Sequence, residues 1–186
     1  MKRLFDLSFS IILLLVLITL MLIIAITIKL TSKGPIIFWS DRVGMNNRIF
    51  RMPKFRSMIE ETPSLASHLL KEPDSYLSPI GFFLRSTSLD ELPQLISVLR
   101  GDMSFVGPRP ALFNQDDLIA LRTEKKIESA IPGITGWAQV NGRDQLTIID
   151  KVAFDEEYIL RQSFWFDMKI LGMTFVKVVK GTGVNH

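Results

Sequence analysis

The feature that most constrains this chain is an uncharged apolar stretch near its N-terminus, from Leu7 to Ile28. As an α-helix, those 22 residues would extend about 33 Å, which is long enough to cross the hydrocarbon core of a bilayer. A core helix of a soluble protein would have a polar side, and a signal peptide would be shorter and followed by a small-residue cleavage site. We therefore predict a membrane helix at residues 1–30 and one globular domain at 31–186.

The charges that flank the stretch do not select an orientation. Lys2 and Arg3 precede it, and Lys29 and Lys33 follow it, so the positive-inside bias is balanced. A helix that enters and leaves on one face of the membrane would place cations near anionic headgroups at both ends. A re-entrant helix usually contains a break, commonly at Pro, and this stretch has none. The flanking cations favour re-entry, and a straight span stays open as the alternative.

The composition excludes several kinds of site. The chain has no Cys, which excludes a disulfide scaffold, a zinc–thiolate site and a cysteine nucleophile. Its two His residues, His68 and His186, leave no histidine-rich metal site and make a Ser-His-Asp hydrolase a poor interpretation. Charged residues make up 22% of the chain, as in an ordinary folded domain, so the chain is not disordered.

The patterns in the globular domain predict an α+β fold that is mostly helical. We expect a short β-hairpin in which residues 36–39 and 49–52 pair across a turn at 44–47. The segment 163–179 is strongly apolar, and it fits an interfacial helix on the membrane and a core helix equally well. The remaining segments are predicted as helices at 60–71, 80–84 (or a turn), 92–99, 116–129 and 148–161, with loops at 73–79 and 131–143.

Two adjacent acids, Asp90 and Glu91, come just before an apolar helical run. Their local interpretation is a capping box between Ser88 and Glu91. In that arrangement Pro93 would be the fifth helical residue, where its missing N–H begins to matter. We therefore predict that the helix starts near Pro93, which would present both carboxylates at its positive end.

Several cations follow in stiff or glycine-rich segments. Pro108 and Pro110 restrict the backbone around Arg109, so a guanidinium that forks well onto phosphate oxygens has little freedom. The segment 132–143 contains three Gly, which allow close backbone approach, and Trp137, which could stack on a base or lie in the core. Each segment alone also fits a surface loop. Together, paired carboxylates and cations suit a diphosphate substrate, because the cations and a divalent ion offset its negative charge.

At these residues the chain resembles the bacterial sugar transferase family, the monotopic phosphoglycosyl transferases that act on polyprenol phosphate. The resemblance runs nearly end to end, and the length resembles the small single-domain members. The matching residues are Lys2-Arg3 with Asp6, Ser32–Pro35, Lys54–Met58, Ser88–Gln94, Gly101–Pro110, Pro132–Arg143, Asp155, Tyr158, Ser163 and Asp167.

The resemblance implies transfer of a phospho-sugar from a UDP-sugar to polyprenol phosphate, which yields polyprenyl-diphospho-sugar and UMP and requires Mg2+. It implies a ping-pong mechanism with a covalent phosphosugar on Asp90, while Glu91 assists and both acids are metal ligands. An Asp is ionised at neutral pH, so it needs no general base to attack phosphorus. The positions that match substrate-binding residues of the family are Lys54, Arg85, Arg109, Arg143 and Asp167.

The resemblance also implies a location. The catalytic domain would face the cytoplasm from the bacterial inner membrane and perform the first membrane step of glycoconjugate assembly. The expected partners are the UDP-sugar donor, the polyprenol phosphate acceptor and membrane lipids, but not nucleic acid; the sequence indicates neither the sugar nor an oligomeric state. The family's membrane segment breaks at a Ser-Pro pair, whereas the corresponding Leu17–Leu22 contains no Pro. This departure bears on the re-entrant geometry more than on the chemistry.

Two other functional classes stay open from the residues. A membrane-anchored adaptor would explain the apolar helix, although it gives no reason for an acid pair beside placed arginines. A membrane-tethered, Mg-dependent nucleotide-sugar phosphohydrolase is the nearer alternative, because it could use the same Asp and metal. It would release the sugar phosphate to water and would not need the lipid.

Overall fold

The computed structural model describes residues 1–60, 62, 73–142 and 145–180. The chain begins with helix α1, Lys2–Thr31, which contains the whole uncharged stretch as one helix of 30 residues. Its length and mean hydropathy make it a candidate membrane helix within the described part of the chain. The helix ends at Ser32, whose backbone is extended. These observations support the predicted membrane helix, and the rest of the fold packs against one side of it.

The predicted hairpin is confirmed, with longer strands than expected. Strand β1, Ile37–Val43, pairs antiparallel with strand β2, Ile49–Phe55. Asn46 and Asn47 both adopt left-handed backbone conformations in the connection, which short polar side chains tolerate. Residues directly opposite each other in an antiparallel pair point to the same side of the sheet. The pairings Phe38 with Lys54 and Arg42 with Phe50 therefore place Lys54 and Arg42 on one face.

The domain beyond the hairpin is mostly helical, as predicted, with short elements. Much of the predicted helix 60–71 lies outside the described residues, and the predicted loop 73–79 contains a 3-10 turn, Pro73–Tyr76. A further 3-10 helix, Leu89–Gln94, precedes α3. The labelled elements that follow the hairpin are α2 Gly81–Ser86, α3 Leu95–Arg100, β3 Ser104–Val106, α4 Asp116–Glu124, β4 Gly133–Thr135, α5 Trp137–Asn141, α6 Ile148–Arg161 and α7 Phe164–Lys180.

Two of the predicted segments need correction. The helix expected at 116–129 ends at Glu124, because Lys126 takes a left-handed conformation and a separate 3-10 turn follows at Ile127–Ser129. The segment expected to be irregular at 131–143 instead contains β4 and α5. Strand β4 is only three residues long, and its pairing with β3 comes from tertiary contact rather than from any local pattern.

The parallel pair of β3 and β4 positions the Arg109 segment. Ser104 pairs with Gly133, and the N–H of Gly107 donates to the carbonyl of Thr135 at 2.9 Å. A Cβ at Gly133 would lie 2.1 Å from the backbone N of Gly107, so only glycine allows the two chains to approach this closely. The pairing with β4 therefore fixes the direction of the backbone between β3 and Arg109.

Helix α1 packs against the domain near both of its ends. Phe5 and Phe9 join an apolar cluster that contains Phe105 and buried residues of α6 and α7. Near the other end, Ile24 and Ile28 join a second cluster with residues of β2 and α2. The outer side of the helix carries exposed apolar side chains, namely Leu4, Ile11, Ile12, Leu15, Val16, Ile18, Leu22, Ile23 and Ile26. The helix therefore has a domain-facing side and an apolar side that faces outward.

Helices α7 and α2 also expose apolar side chains. On α7, Phe166 and Ile170 are buried in the core, whereas Trp165 and Phe175 expose 80% and 70% of their area. The core interpretation of the segment 163–179 thus holds for the buried side of α7, and the interfacial interpretation stays a prediction for its exposed side. On α2, the neighbouring Phe82 and Phe83 are also exposed. Exposed aromatic side chains of this size are typical of a surface that contacts a membrane.

Candidate active site

The two adjacent acids lie on the 3-10 helix between α2 and α3. Asp90 is buried and Glu91 partly buried, and α3 begins at Leu95, close to the predicted start near Pro93. The capping box is wrong, because Ser88 adopts a left-handed conformation and makes no side-chain hydrogen bond to the helix. The carboxylates are held instead by the packing of this short helix on β2.

Two cations contact the acid pair directly. Lys54 Nζ lies 2.8 Å from Glu91 Oε1 and 3.7 Å from Asp90 Oδ2. Arg109 Nη2 lies 3.0 Å from the same Oε1 of Glu91. Lys54 belongs to β2, Glu91 to the 3-10 helix and Arg109 to the segment after β3. The structure thus brings together four of the predicted site residues, which are far apart in the sequence.

The environment of Asp90 acts on its protonation in two directions. Burial raises the pKa of Asp90 above its ordinary value, and the nearby Glu91 charge raises it further. Lys54 is the strongest opposing influence on this pKa, and Arg85 and Arg109 also lower it. Arg85 is held beside the site by a 3.6 Å contact from Nη1 to Met58 Sδ. The pKa of Asp90 is therefore raised overall by burial, and the nearby cations limit that rise.

A buried ion pair fixes the backbone of Arg109. Arg122 donates from Nε and Nη2 to Asp155 Oδ2 at 3.0 and 2.6 Å, and from Nη1 to the carbonyl of Arg109 at 2.8 Å. Burial raises the pKa of Asp155, and Arg122 opposes that shift. Sequence reasoning did not single out Arg122. The sequence offers only an indirect indication of this arginine. Asp155 belongs to the family pattern, and an acid that is buried needs a cationic partner somewhere in the chain.

Asp167 lies in a different cluster from the acid pair. Its Oδ2 is 2.6 Å from Lys2 Nζ, and its Oδ1 accepts a hydrogen bond from Tyr158 Oη at 2.8 Å. Lys2 also donates to the carbonyl of Val106 at 2.8 Å. This cluster attaches the N-terminus of α1 to β3, three residues before Arg109. The side-chain contacts of Asp167 thus attach α1 to the domain. The other predicted site residue of this group, Arg143, lies outside the described residues.

The indole ring of Trp137 contacts several side chains of the same protein. Its Nε1 donates to Glu157 Oε2 at 2.7 Å, and Arg161 and Lys169 each lie 5.6 Å from the ring centroid. The ring also packs against Phe166 in the core. These contacts fit the core interpretation of Trp137 better than stacking on a nucleotide base.

A second arginine that sequence reasoning missed lies beside Arg109. Arg42 belongs to β1, and its Nη1 donates to the carbonyl of Pro110 at 3.3 Å. Arg42 lies on the same face of the hairpin as Lys54. That relation follows from the strand register, which the sequence analysis does not give. Arg42 is therefore a cation beside the site that the sequence analysis does not predict.

The acid pair fits a magnesium ion that is shared with a substrate. Among the described residues, no group of three or more His, Cys, Asp or Glu side chains is arranged to hold a metal ion by itself. Mg2+ is commonly held by one or two carboxylates together with substrate phosphates, and it keeps several waters. Asp90 and Glu91 supply that donor set, and the surrounding cations suit the phosphates.

Comparisons with known proteins match this chain to a family over nearly its whole length. A family model described as bacterial sugar transferase matches residues 1–181. An undecaprenyl-phosphate glucose phosphotransferase of Komagataeibacter xylinus is 42% identical over 96% of this chain and 36% of its own length. A UDP-glucose:undecaprenyl-phosphate glucose-1-phosphate transferase of Escherichia coli is 41% identical over 95% of this chain and 40% of its own length.

The relatives differ in how much of their length the chain covers. The chain spans about two fifths of the two glucose-phosphate transferases. It spans 91% of an uncharacterized sugar transferase of Bacillus subtilis, EpsL, at 40% identity. The family model covers both the membrane helix and the acid pair with its cations. The chain therefore belongs to the bacterial sugar transferase family.

Proposed function

We propose that this protein transfers a phospho-sugar from a UDP-sugar to polyprenol phosphate and produces polyprenyl-diphospho-sugar and UMP. The observation that carries the proposal is the Asp90–Glu91 pair, contacted by Lys54 and Arg109 in a domain that packs along an apolar membrane helix. The names of the relatives, which specify undecaprenyl phosphate and in one case UDP-glucose, support the two substrate classes.

The first half of the reaction uses Asp90 as a nucleophile. Its carboxylate oxygen bonds to the phosphorus that bears the sugar, and the bond from that phosphorus to the bridging oxygen breaks. The bridging oxygen leaves with the electron pair on UMP, so no proton is needed. Lys54, Arg85 and Arg109 reduce the repulsion between an anionic nucleophile and an anionic diphosphate. A bound Mg2+ on the acid pair would neutralise further charge on the phosphates.

The second half of the reaction regenerates the acid. After UMP leaves, an oxygen of polyprenol phosphate attacks the phosphorus of the aspartyl phosphosugar, and the Asp90 carboxylate is released. One site thus serves a water-soluble donor and a lipid acceptor in turn, which is a ping-pong mechanism. This order suits an acid pair placed beside a membrane helix, because the two substrates arrive from different phases.

We also propose that both ends of α1 lie on the cytoplasmic side of the bacterial inner membrane, where UDP-sugars are found. Arg3 donates to the carbonyls of Val98 and Leu99, and Ile28 packs in a cluster with Phe55 and Leu84. A straight span would separate the two ends of α1 by the bilayer core of about 30 Å. Contacts of both ends with one domain favour a helix that enters and leaves on the same face.

The test of the reaction is UMP release from UDP-sugars with and without polyprenol phosphate. We expect sustained turnover only with the lipid, and at most one UMP per protein molecule without it. Equal multiple-turnover rates in both conditions would identify a nucleotide-sugar phosphohydrolase instead. A screen of UDP-sugars scored by UMP release would then identify the sugar.

The test of the intermediate is mass spectrometry after brief exposure to the donor alone. We expect a phosphosugar on the peptide that carries Asp90, and no adduct in Asp90→Asn. Asp41→Asn is the matched control, because Asp41 is exposed on β1 and lies outside the site. An adduct on any other residue would reject the role of Asp90.

The test of the topology uses the absence of natural cysteine. Single Cys residues are introduced before Met1, at Lys33→Cys after α1, and at Asp117→Cys on the domain, where Lys33 and Asp117 are exposed. A membrane-impermeant thiol reagent applied to sealed vesicles should label all three or none. Labelling of the first site from the side opposite to the other two would establish a straight span.

A further inference from the structure

Arg42 is fixed at the edge of the acid site by both its backbone and its side chain. The N–H of Val43 donates to the carbonyl of Ala111 at 2.9 Å, so β1 continues onto the segment that follows Arg109. The Arg42 side chain donates from Nε to Ser40 Oγ at 3.0 Å and from Nη1 to the carbonyl of Pro110 at 3.3 Å. Both acceptors hold the guanidinium in one orientation, and neither carries a charge.

Within the described part of the chain, the charge of Arg42 is not neutralised by an ion pair. Across the residues that the structure describes, no carboxylate lies within ion-pair distance of it. Burial and the neighbouring Arg109 charge lower the pKa of Arg42 to about 10, whereas the Glu91 charge raises it. The guanidinium groups of Arg42 and Arg109 repel each other, and an anion bound between them would stabilise this arrangement.

The charges around the acid pair match a diphosphate. Lys54, Arg85 and Arg109 are three cations near Asp90 and Glu91, and Arg42 is a fourth, near Glu91 and Arg109. Among the residues that the structure describes, four cations against two carboxylates leave a net charge of +2 at the site when every group is ionised. A nucleoside diphosphate sugar carries about two negative charges, so it would neutralise the cluster that includes Arg42.

We propose that Arg42 binds the phosphate of the departing nucleotide, together with Arg109. The inference rests on the proposed transfer reaction. In an in-line displacement the leaving oxygen lies opposite to the nucleophile. Arg42 lies on the Arg109 side of the site, and its Cα is about 13 Å along the hairpin from that of Lys54, which contacts Asp90.

The role of Arg42 in the step is electrostatic. When Asp90 bonds to the sugar-bearing phosphorus, the bond from that phosphorus to the bridging oxygen breaks, and the electron pair remains on UMP. Negative charge therefore grows on the phosphate that Arg42 faces, and the guanidinium donates to it without transferring a proton. Arg42 does not contact the attacking carboxylate, so it acts on the leaving group alone.

The test compares Arg42→Gln and Arg42→Lys with the control Arg51→Gln. Arg51 is exposed on the same hairpin and stacks on Trp39, outside the site. The measurements are inhibition by UMP, the KM for the UDP-sugar and the KM for polyprenol phosphate. For Arg42→Gln we expect UMP to bind about 10- to 100-fold more weakly and the donor kcat/KM to fall at least as much. Arg42→Lys should lie between it and the wild type, because it keeps the charge and loses the fork.

The outcomes separate this inference from the proposed function. If the wild type fails to transfer, the proposed reaction is wrong; if it transfers and Arg42→Gln binds UMP normally, only the role of Arg42 is wrong. A rise confined to the KM for polyprenol phosphate would assign Arg42 to the acceptor and also overturn the inference. Should the variants not fold, wild-type protein is treated with phenylglyoxal, and UMP should protect Arg42 from modification; equal modification with and without UMP would reject the proposal.

Discussion

Two cation–carboxylate clusters of this protein lie on either side of Arg109 and are built differently. The Arg122–Asp155 pair has one cation and one acid, and the Asp155 side chain is 1% exposed. In the described part of the chain, the cluster at Asp90 and Glu91 has four cations for two acids, and it includes the partly exposed side chain of Arg109. The first cluster is closed and balanced, whereas the second is open and carries an excess of positive charge.

The difference separates a positioning role from a binding role. The Arg122–Asp155 pair is balanced in charge and shielded from solvent, so it can hold the Arg109 carbonyl but is poorly accessible to a ligand. An open cluster with excess charge is stabilised when an anion arrives. Arg109 connects the two, because Arg122 holds its backbone while its side chain contacts Glu91.

The largest expected effect is loss of the nucleophile from the open cluster. Asp90→Asn should reduce lipid-dependent UMP release by at least about 10³-fold, because an amide cannot form the phosphosugar intermediate. The folded state should persist, since Asn has nearly the same shape. Thermal unfolding in detergent serves as the control, and turnover within tenfold of the wild type would contradict the assignment.

The next effect concerns the closed pair. Asp155→Ala should lower the free energy of unfolding by about 3–5 kcal/mol, because it leaves Arg122 buried without its partner. Turnover of the remaining folded protein should also fall, since Arg109 loses its fixed backbone. Denaturation in detergent measures the first effect, and UMP release per folded molecule measures the second. A stable variant with normal kinetics would show that the pair does not position Arg109.

The pH dependence should distinguish the influences on the open cluster. Lys54 lowers the pKa of Asp90 and Glu91 raises it, so Lys54→Met should move the acid limb of the first half-reaction to higher pH. Glu91→Gln should move that limb to lower pH, whatever it does to the maximal rate. The measurement is the rate of the single UMP burst without lipid as a function of pH. Shifts of the same sign in both variants would contradict this account of Asp90.

The smallest effect is expected at an exposed ion pair that belongs to neither cluster. Lys125 Nζ lies 3.4 Å from Glu156 Oε1, and both side chains are well exposed. Glu156→Gln should change the free energy of unfolding by less than about 0.5 kcal/mol and leave turnover unchanged. This variant is the matched control for Asp155→Ala, because it removes the acid next in sequence on the same helix. A loss comparable to that of Asp155→Ala would show that burial does not distinguish the pairs.

Much of the fold was predictable, because its signals are local. An uncharged run of sufficient length predicts α1, and two short strand-like segments around a polar turn predict the hairpin. The parallel pairing of β3 with β4 was not predictable, since Ser104 and Gly133 are far apart in the sequence and each strand has three residues. The early end of α4 was also not predictable, because the left-handed residue after it is Lys126 and not the glycine that usually indicates a helix end.

The site was predictable in its acids and less so in its cations. Asp90, Glu91, Lys54 and Arg109 were identified through family resemblance and the stiff Pro-Arg-Pro segment, and the structure places them together. Asp167 was assigned to the same site, yet its side chain contacts Lys2 and Tyr158. Arg42 and Arg122 were missed, because their roles depend on what lies opposite them and not on their sequence neighbours.

The sequence by itself determined the membrane helix, the mostly helical domain and the chemical character of the acid pair, because each depends on residues adjacent in the chain. Tertiary structure alone decided which cations reach those acids and which are bound elsewhere. The physical reason is that the interaction between charges depends on their distance and on the exclusion of water, and folding sets both. Arg122 and Arg42 are the same residue type, and only packing makes one a buried partner of Asp155 and leaves the other hydrogen-bonded to Ser40 and Pro110, near the charges of Glu91 and Arg109.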